Sequence, residues 1–300
     1  MNITNDRSAR VCYSPGAILF VTGFLLAAVL LCCPPGLAAA DPFSFLQRQL
    51  KQDGFDPGQI DACFDNHRLR FEKETIARYF HHNEAKLDYG QFLTPGSLSR
   101  ARTYIEKRRQ WLQLAEAEFQ VGKEIITAVL LVETRLGRVT GRAVTFNTLA
   151  SMAALADPEV RESFWRSIAD GSSLTEAEYR QKASRKSAWA YKELKAFLVF
   201  LNREDIDDPL AITGSYAGAI GIPQFMPSNV LALGEDGDLD GRVDLFTHAD
   251  AILSVARYLH YHGWRPDIDN DDARRVLRRY NNSGYYVDAL LTIRQRLKEQ

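Results

Sequence analysis

The chain has 300 residues, 46% of them hydrophobic and 25% charged, with a net charge of −1. That is the composition of a folded globular protein with apolar material for one large or two smaller domains. The near-zero charge gives no support to nucleic-acid binding, which normally rests on a basic surplus.

Arg7 and Arg10 precede an apolar stretch from Ala17 to Leu31, followed by Pro34, Pro35 and Gly36 and then Ala38-Ala39-Ala40 before Asp41. A basic segment, an apolar segment and an A-x-A site make the pattern of a secretory signal peptide cut after Ala40. Residues 1–40 are therefore expected to leave the exported chain. A transmembrane anchor is the first alternative, but the apolar core is shorter than the roughly 20 residues that spanning needs. Lipidation at Cys32 or Cys33 is the second, although Leu31 is not the small residue that usually precedes such a cysteine. Removal of the signal takes Cys12, Cys32 and Cys33 and leaves Cys63 alone, so no internal disulfide is possible. Cys63 reads as a small buried residue rather than a nucleophile.

From Asp41 the pattern is helical. Phe43, Leu46 and Leu50 recur at i, i+3 and i+7, and Gly54 stops that helix. Asp56-Pro57 supplies a cap and a first-turn proline for the next one. His81 and His82, in a polar stretch, read as surface residues rather than ligands. Thr94-Pro95 opens a long helix in which Leu98, Ile105, Leu112 and Phe119 recur every seven residues as far as the break at Gly122.

Lys123 leads into the apolar run Val129-Leu130-Leu131-Val132, which ends in Glu133 and is followed by Gly137. Gly137 is a good helix stop. Glu133 then sits in the last helical turn, with Val129 and Leu130 stacked beside it. The negative end of the helix dipole and the apolar neighbours both disfavour its charge. A proton-donating acid needs that bias near neutral pH, although an ordinary helix-end glutamate has the same local sequence. Phe146 to Leu155 predicts a core helix. Asp157 to Glu178 is more polar, with Gly171-Ser172-Ser173 as a loop. Lys182 to Leu201 returns to helix, with Trp189, Leu194, Phe197 and Leu201 on its apolar side. Strand signals are scarce, so the fold class is mainly α.

Gly214 to Ser228 reads Gly-Ser-Tyr-Ala-Gly-Ala-Ile-Gly-Ile-Pro-Gln-Phe-Met-Pro-Ser. Its glycines let the backbone come close to something, and Ser215 and Gln224 offer hydrogen-bonding groups. The stretch lacks the ending of a phosphate loop and the frame of a hydrolase nucleophile elbow. A sugar- or peptide-binding wall and a tightly packed turn both fit it. Asp236, Asp238 and Asp240, then Gly241, Arg242 and Val243, follow the start of an EF-hand loop: oxygen ligands at positions 1, 3 and 5, glycine at 6, a backbone carbonyl at 7. Thr247 replaces the usual closing glutamate at position 12, and Asp250 can supply the missing carboxylate. The loop is expected to bind Ca2+ in a structural role. Arg279-Tyr280-Asn281-Asn282-Ser283-Gly284-Tyr285-Tyr286 mixes rings and amides as a saccharide site does; a capped turn between helices is the plainer reading.

Taken in this order, Val132-Glu133-Thr134-Arg135-Leu136-Gly137, the Gly214–Ser228 stretch, the acidic loop and Tyr280-Asn281-Asn282-Ser283 resemble segments of the lytic murein transglycosylases of the membrane-bound B type. The resemblance covers roughly Thr94 to the end. It implies a lysozyme-like α-helical core with additional N-terminal helices (41–118 before 119–300) and action on peptidoglycan glycan strands; the export signal places that action in the periplasm, and the chain is expected to be a monomer. It also implies cleavage of the β-1,4 bond between N-acetylmuramic acid and N-acetylglucosamine with a 1,6-anhydromuramoyl product. Glu133 then matches the single acid/base; Ser215, Gln224, Tyr280, Asn281 and Tyr286 match substrate-binding positions; Asp236, Asp238, Asp240, the Arg242 carbonyl and Asp250 match calcium ligands. Arg161 is the one residue available for a substrate-binding Pro-Arg-Arg segment, which here reads Pro158-Glu159-Val160-Arg161, and the segment near 157–186 is longer than usual. Two other functions are compatible with these residues: a muramidase-type hydrolase using the same acid, and a non-catalytic, calcium-stabilised peptidoglycan-binding module.

Overall fold

Residues 41–81 and 88–299 are described by the structure, a computed structural model. The signal-peptide reading, its three cysteines, His82 and the side chain of His81 lie outside the described residues. Helix α1 (Ser44–Gln52) buries Leu46 and Leu50, and the chain turns away at Gly54 with φ +93°. Asp56 caps α2 (Pro57–Phe64) by accepting the Gln59 N–H at 2.8 Å. Helix α3 (Lys73–His81) follows. The seven-residue stripe beginning at Leu98 does not form one helix. It is divided at Arg108 (φ −111°, ψ 19°) into α4 (Pro95–Lys107) and α5 (Arg109–Phe119). The bend lets the two halves follow different neighbours, since α4 packs on α13 (Gly284–Lys298) and α5 on α11 (His248–Tyr261).

Both halves also pack on α6 (Lys123–Thr134), which is buried at every position from Ile125 to Leu131. A helix that is apolar all round belongs in the middle of a core. Here it is enclosed by α4, α5, α11 and α13. Beyond it come β1 (Ala143–Val144), α7 (Thr145–Ala153), α8 (Pro158–Ile168), α9 (Glu176–Arg203), β2 (Thr213–Gly214), α10 (Pro227–Leu233) and α12 (Asn270–Tyr280). The only sheet among the described residues is the antiparallel β1–β2 ribbon, in register Ala143 to Gly214 and Val144 to Thr213. The fold is mainly α.

The polar segment after Asp157 is more ordered than its composition predicts. Asp157 caps α8 through the Glu159 N–H, and Thr175 with Glu178 forms a capping box that starts α9 six residues before Lys182. Trp165 stacks on Tyr179 at 4.8 Å, and the Tyr179 hydroxyl donates to the Arg161 carbonyl at 2.9 Å. One apolar cluster runs without interruption from Phe43 to Leu297, so α1 to α3 share the core. Cys63 is buried in it as a free thiol, and burial pushes its pKa up to about 11. No helix among the described residues is long and apolar enough to cross a membrane.

Candidate active site

Helix α6 ends at Thr134, earlier than the Gly137 stop. Arg135 and Leu136 themselves take left-handed backbone (φ 53° and 63°) ahead of Gly137 (φ 84°). The Leu136 N–H bonds back to the Leu130 carbonyl at 2.9 Å, which closes the last turn. Non-glycine residues in this region carry strain that the surroundings must hold. Arg135 is held by the amide of Gln91 at 2.6 Å, and the Thr134 hydroxyl donates to the Ile222 carbonyl at 2.8 Å while accepting the Gly137 N–H. The end of α6 is thus locked to the 3-10 turn Tyr89–Phe92 on one side and to the glycine-rich stretch on the other. Glu133, half-buried, is presented between them.

Glu133 opens into a cleft of about 660 Å³ whose walls include Ser215, Gln224, Tyr280, Asn281 and Tyr286. Five of the six sequence-derived substrate positions therefore line the same space as the acid. The hydroxyl of Tyr286 donates to Glu133 Oε1 at 2.6 Å. Tyr280 stacks on Tyr286 (6.4 Å, 19°) and donates to the Pro223 carbonyl at 2.5 Å. Burial first, and the Glu133 charge second, hold both phenols well above the ordinary tyrosine range. They remain protonated donors at any working pH.

The glycines of the Gly214–Ser228 stretch serve the fold rather than a ligand. A Cβ at Gly214 would lie 2.0 Å from the Ala219 carbonyl oxygen, and one at Gly221 (φ 72°) 2.5 Å from Leu245. The preceding Gly141 (φ 99°) is equally committed, since its Cβ would meet the Gly214 oxygen at 1.9 Å. Backbone packs on backbone, and the close turn puts two side chains on the cleft. Ser215 Oγ accepts the N–H groups of Ala217 and Ala219 at 3.2 and 3.1 Å, leaving its hydroxyl proton to donate. Gln224, itself left-handed at φ 54°, spends its Nε2 on the carbonyls of Thr140 and Gly221.

Arg161 is not brought to this cleft. Its guanidinium donates to the carbonyls of Leu155 and Ala156, where it closes the 3-10 turn Ala154–Ala156. Other lining residues had not been singled out: Asp88, Tyr89 and Gln91 from the turn before α4, together with Tyr79 and Tyr216. The run Tyr89-Gly90-Gln91-Phe92 carries the same mixture of ring and amide that marked the Tyr280 segment. Asp88 is a second carboxylate in the lining beside Glu133, which the resemblance makes the single acid/base. Its Oδ1 accepts the Gly90 N–H at 2.9 Å as the cap of the turn.

The Transglycosylase SLT domain profile matches residues 39–271. The chain belongs to the transglycosylase SLT domain family. Membrane-bound lytic murein transglycosylase B of Escherichia coli (strain K12) is 34% identical to this SLT-domain chain over 183 residues, which are 61% of this chain and 43% of that protein. The matched stretch therefore spans less than half the length of that relative. Soluble lytic transglycosylase SltB1 from Pseudomonas aeruginosa superposes with a TM-score of 0.69 at 23% identity, covering 86% of this chain and 98% of its own. Escherichia coli lytic transglycosylase Slt35, solved in complex with calcium, gives 0.66 at 23% identity over 86% and 92%. These superpositions establish the lysozyme-like lytic transglycosylase fold for the SLT-domain chain.

Its acidic loop brings together part of the expected ligand set. Asp236, Asp238 and Asp250 present carboxylate oxygens within 4.8 Å of one another. Asp240 lies outside that group, and its Oδ1 accepts the Arg242 N–H at 2.9 Å. Asp250 is almost fully buried; its two oxygens accept the N–H groups of Gly237 (2.9 Å) and Asp244 (2.6 Å). Burial, with the charges of Asp238 and Asp236 adding to it, pushes its carboxyl up to about 6. Glu204 at the end of α9 accepts the Val243 N–H at 2.8 Å and fixes the loop to the core. Three converging carboxylates, one of them buried at a cost, fit a hard divalent cation.

Proposed function

We propose that this SLT-domain chain is a lytic transglycosylase that cleaves the β-1,4 bond between N-acetylmuramic acid and N-acetylglucosamine in peptidoglycan. Glu133 serves first as acid and then as base. The observation that carries this reading is Glu133 at the strained end of a buried helix, opening into a cleft of rings and amides and receiving the Tyr286 phenol at 2.6 Å. Protonated Glu133 gives its proton to the bridging oxygen as the bond from the muramoyl C1 breaks, and the substrate's acetamido group stabilises the developing cation. The Glu133 carboxylate then takes the proton of the C6 hydroxyl, whose oxygen bonds to C1 and closes the 1,6-anhydro ring. No water is consumed and Glu133 ends as it began. Tyr286 supports the carboxylate stage by donating to it.

Asp88 in the cleft lining favours one competing reading, a hydrolase with two carboxylates. Mass spectrometry of products from purified sacculi separates the two, because hydrolysis adds a water and transglycosylation does not. Glu133→Gln is expected to keep the fold and glycan binding while abolishing anhydro products. Retained turnover in that variant sinks the assignment. Asp88→Asn is expected to keep the anhydro product.

In the same reading, Asp236, Asp238 and Asp250 hold one Ca2+, whose part is structural: it removes the repulsion within the loop and supplies no step of the reaction. The calcium complex of Slt35, which shares the fold, supports this choice of ion. Residues 1–40 act as a cleaved export signal that delivers the enzyme to the periplasm.

A further inference from the structure

A side branch leaves the cleft beside Ser215, Tyr216 and Gln224, which line both spaces. It encloses about 510 Å³, with Thr75 and Arg78 of α3 on one wall and Ala143 and Gly214 of the β1–β2 ribbon on the other. Its charged lining differs in sign from that of the cleft. The cleft has Asp88 and Glu133, whereas the branch has Arg70, Arg78 and Arg142 with one carboxylate, Glu72. That carboxylate is already engaged: Arg70 Nε donates to Oε1 at 2.7 Å and the Thr75 hydroxyl to Oε2 at 3.1 Å. Arg78 and Arg142 are exposed, and among the described residues no carboxylate pairs with either.

Two exposed guanidinium groups that face a shared space and have no carboxylate partner among the described residues are poorly matched to sugar hydroxyls and well matched to carboxylates, which take charge-assisted, often bidentate hydrogen bonds. On a peptidoglycan strand the groups that leave the glycan sideways are the peptides on the muramoyl lactyl ethers, and those peptides carry free carboxylates. We propose that the Arg70–Arg78–Arg142 branch binds the carboxylates of these peptide substituents, so that the enzyme selects peptide-bearing strands over bare ones. The inference rests on the function proposed above.

The test measures kcat/KM for the whole protein on three polymers: peptide-bearing strands, the same strands stripped by an amidase, and strands whose peptide carboxylates have been amidated. The wild type should prefer the first over both others. Arg78→Gln and Arg142→Gln should each reduce that preference by roughly fivefold, the scale of an exposed charge pair, mainly through KM. Added salt should erode the preference in the wild type more than in the double variant. Arg→Lys at either position should restore part of it. A preference identical in the wild type and both glutamine variants overturns the inference. So does one lost on stripping but kept on amidation, because bulk rather than charge is then being read. A wild type that cleaves none of the three polymers overturns the function itself, and this inference with it.

Discussion

Glu133 and Asp250 are both shielded carboxylates on apolar helices, and their surroundings make opposite demands. Asp250 lies in the first turn of α11, almost fully buried, with both oxygens held by backbone N–H groups and two further aspartates converging on it. Glu133 lies in the last turn of α6, half-buried, with a neutral phenol donating to it across the cleft. The Asp250 region accumulates negative charge that a cation can neutralise. The Glu133 region offers a donor that supports the anion without supplying a countercharge, so the carboxyl can give up a proton and take it back. On the proposed function, charge accumulation and proton exchange fall in two parts of one core, linked through the Leu245 carbonyl, which accepts the Ile222 N–H at 2.8 Å.

The largest expected effect tests the proton-exchanging half of that contrast. Glu133→Gln keeps an acceptor for the Tyr286 phenol and removes the exchangeable proton. Turnover on sacculi should fall by about a thousandfold or more, within the range lost with a general acid, while the melting temperature stays within a few degrees of wild type. Tyr286→Phe comes next. It leaves the ring stacked on Tyr280 and deletes the donor, and kcat should drop by roughly ten- to a hundredfold, as for a lost hydrogen bond to a charged group. Steady-state release of anhydro products reads both; a fully active Tyr286→Phe protein breaks the comparison, because the phenol is then only packing.

The charge-accumulating half makes a pH prediction. The Asp250 carboxyl is raised from 3.8 to about 6 in the fold. The native state therefore binds the proton more tightly than the unfolded chain, and stability is lost as pH rises from about 4 to about 6, by roughly 3 kcal/mol in metal-free protein. Above that window the loss is constant. Calorimetry of chelated protein should show this decline, Asp250→Asn should flatten it, and Ca2+ should cancel it in the wild type by binding the ionised loop. In the wild type, chelation at neutral pH should lower the melting temperature more than it does in an Asp236→Asn/Asp238→Asn variant. Equal shifts remove calcium from the loop.

What could be read in the sequence divides along the same line between local and distant contacts. The apolar α6 and the place of Glu133 near its end follow from residues within one or two turns. So do the Asp56 cap and the convergence of Asp236 with Asp238. The need for glycine in the 214–221 stretch was legible too, but the thing approached was not: it is Ala219 and Leu245 rather than a sugar. The Gln91 amide reaches Arg135 from 44 residues away, and Tyr286 reaches Glu133 from 153. Spacing along the chain carries no information about such pairs: the mixture of rings and amides around Tyr286 suggested a saccharide site, but nothing in it pointed to Glu133. The seven-residue stripe was real as burial, yet its period could not show that α4 and α5 face different partners. Asp240 fits the EF-hand pattern by position, while its oxygen turns to the Arg242 N–H of its own loop.

Arg161 provides the smallest expected effect and belongs to neither region. Its place after Pro158 made it a candidate for holding substrate, whereas its guanidinium donates to the Leu155 and Ala156 carbonyls at 3.2 and 3.3 Å. Those carbonyls end the α7 segment, where no further helical turn exists to satisfy them. Arg161→Gln should therefore cost about 1 kcal/mol of stability, seen as a fall of a few degrees in melting temperature. The change in kcat/KM on sacculi should stay below about twofold, since ordinary hydrogen bonds remote from the reacting bond act on folding rather than on the transition state. A tenfold rise in KM with unchanged stability would return Arg161 to the substrate and make the cleft longer than its present walls.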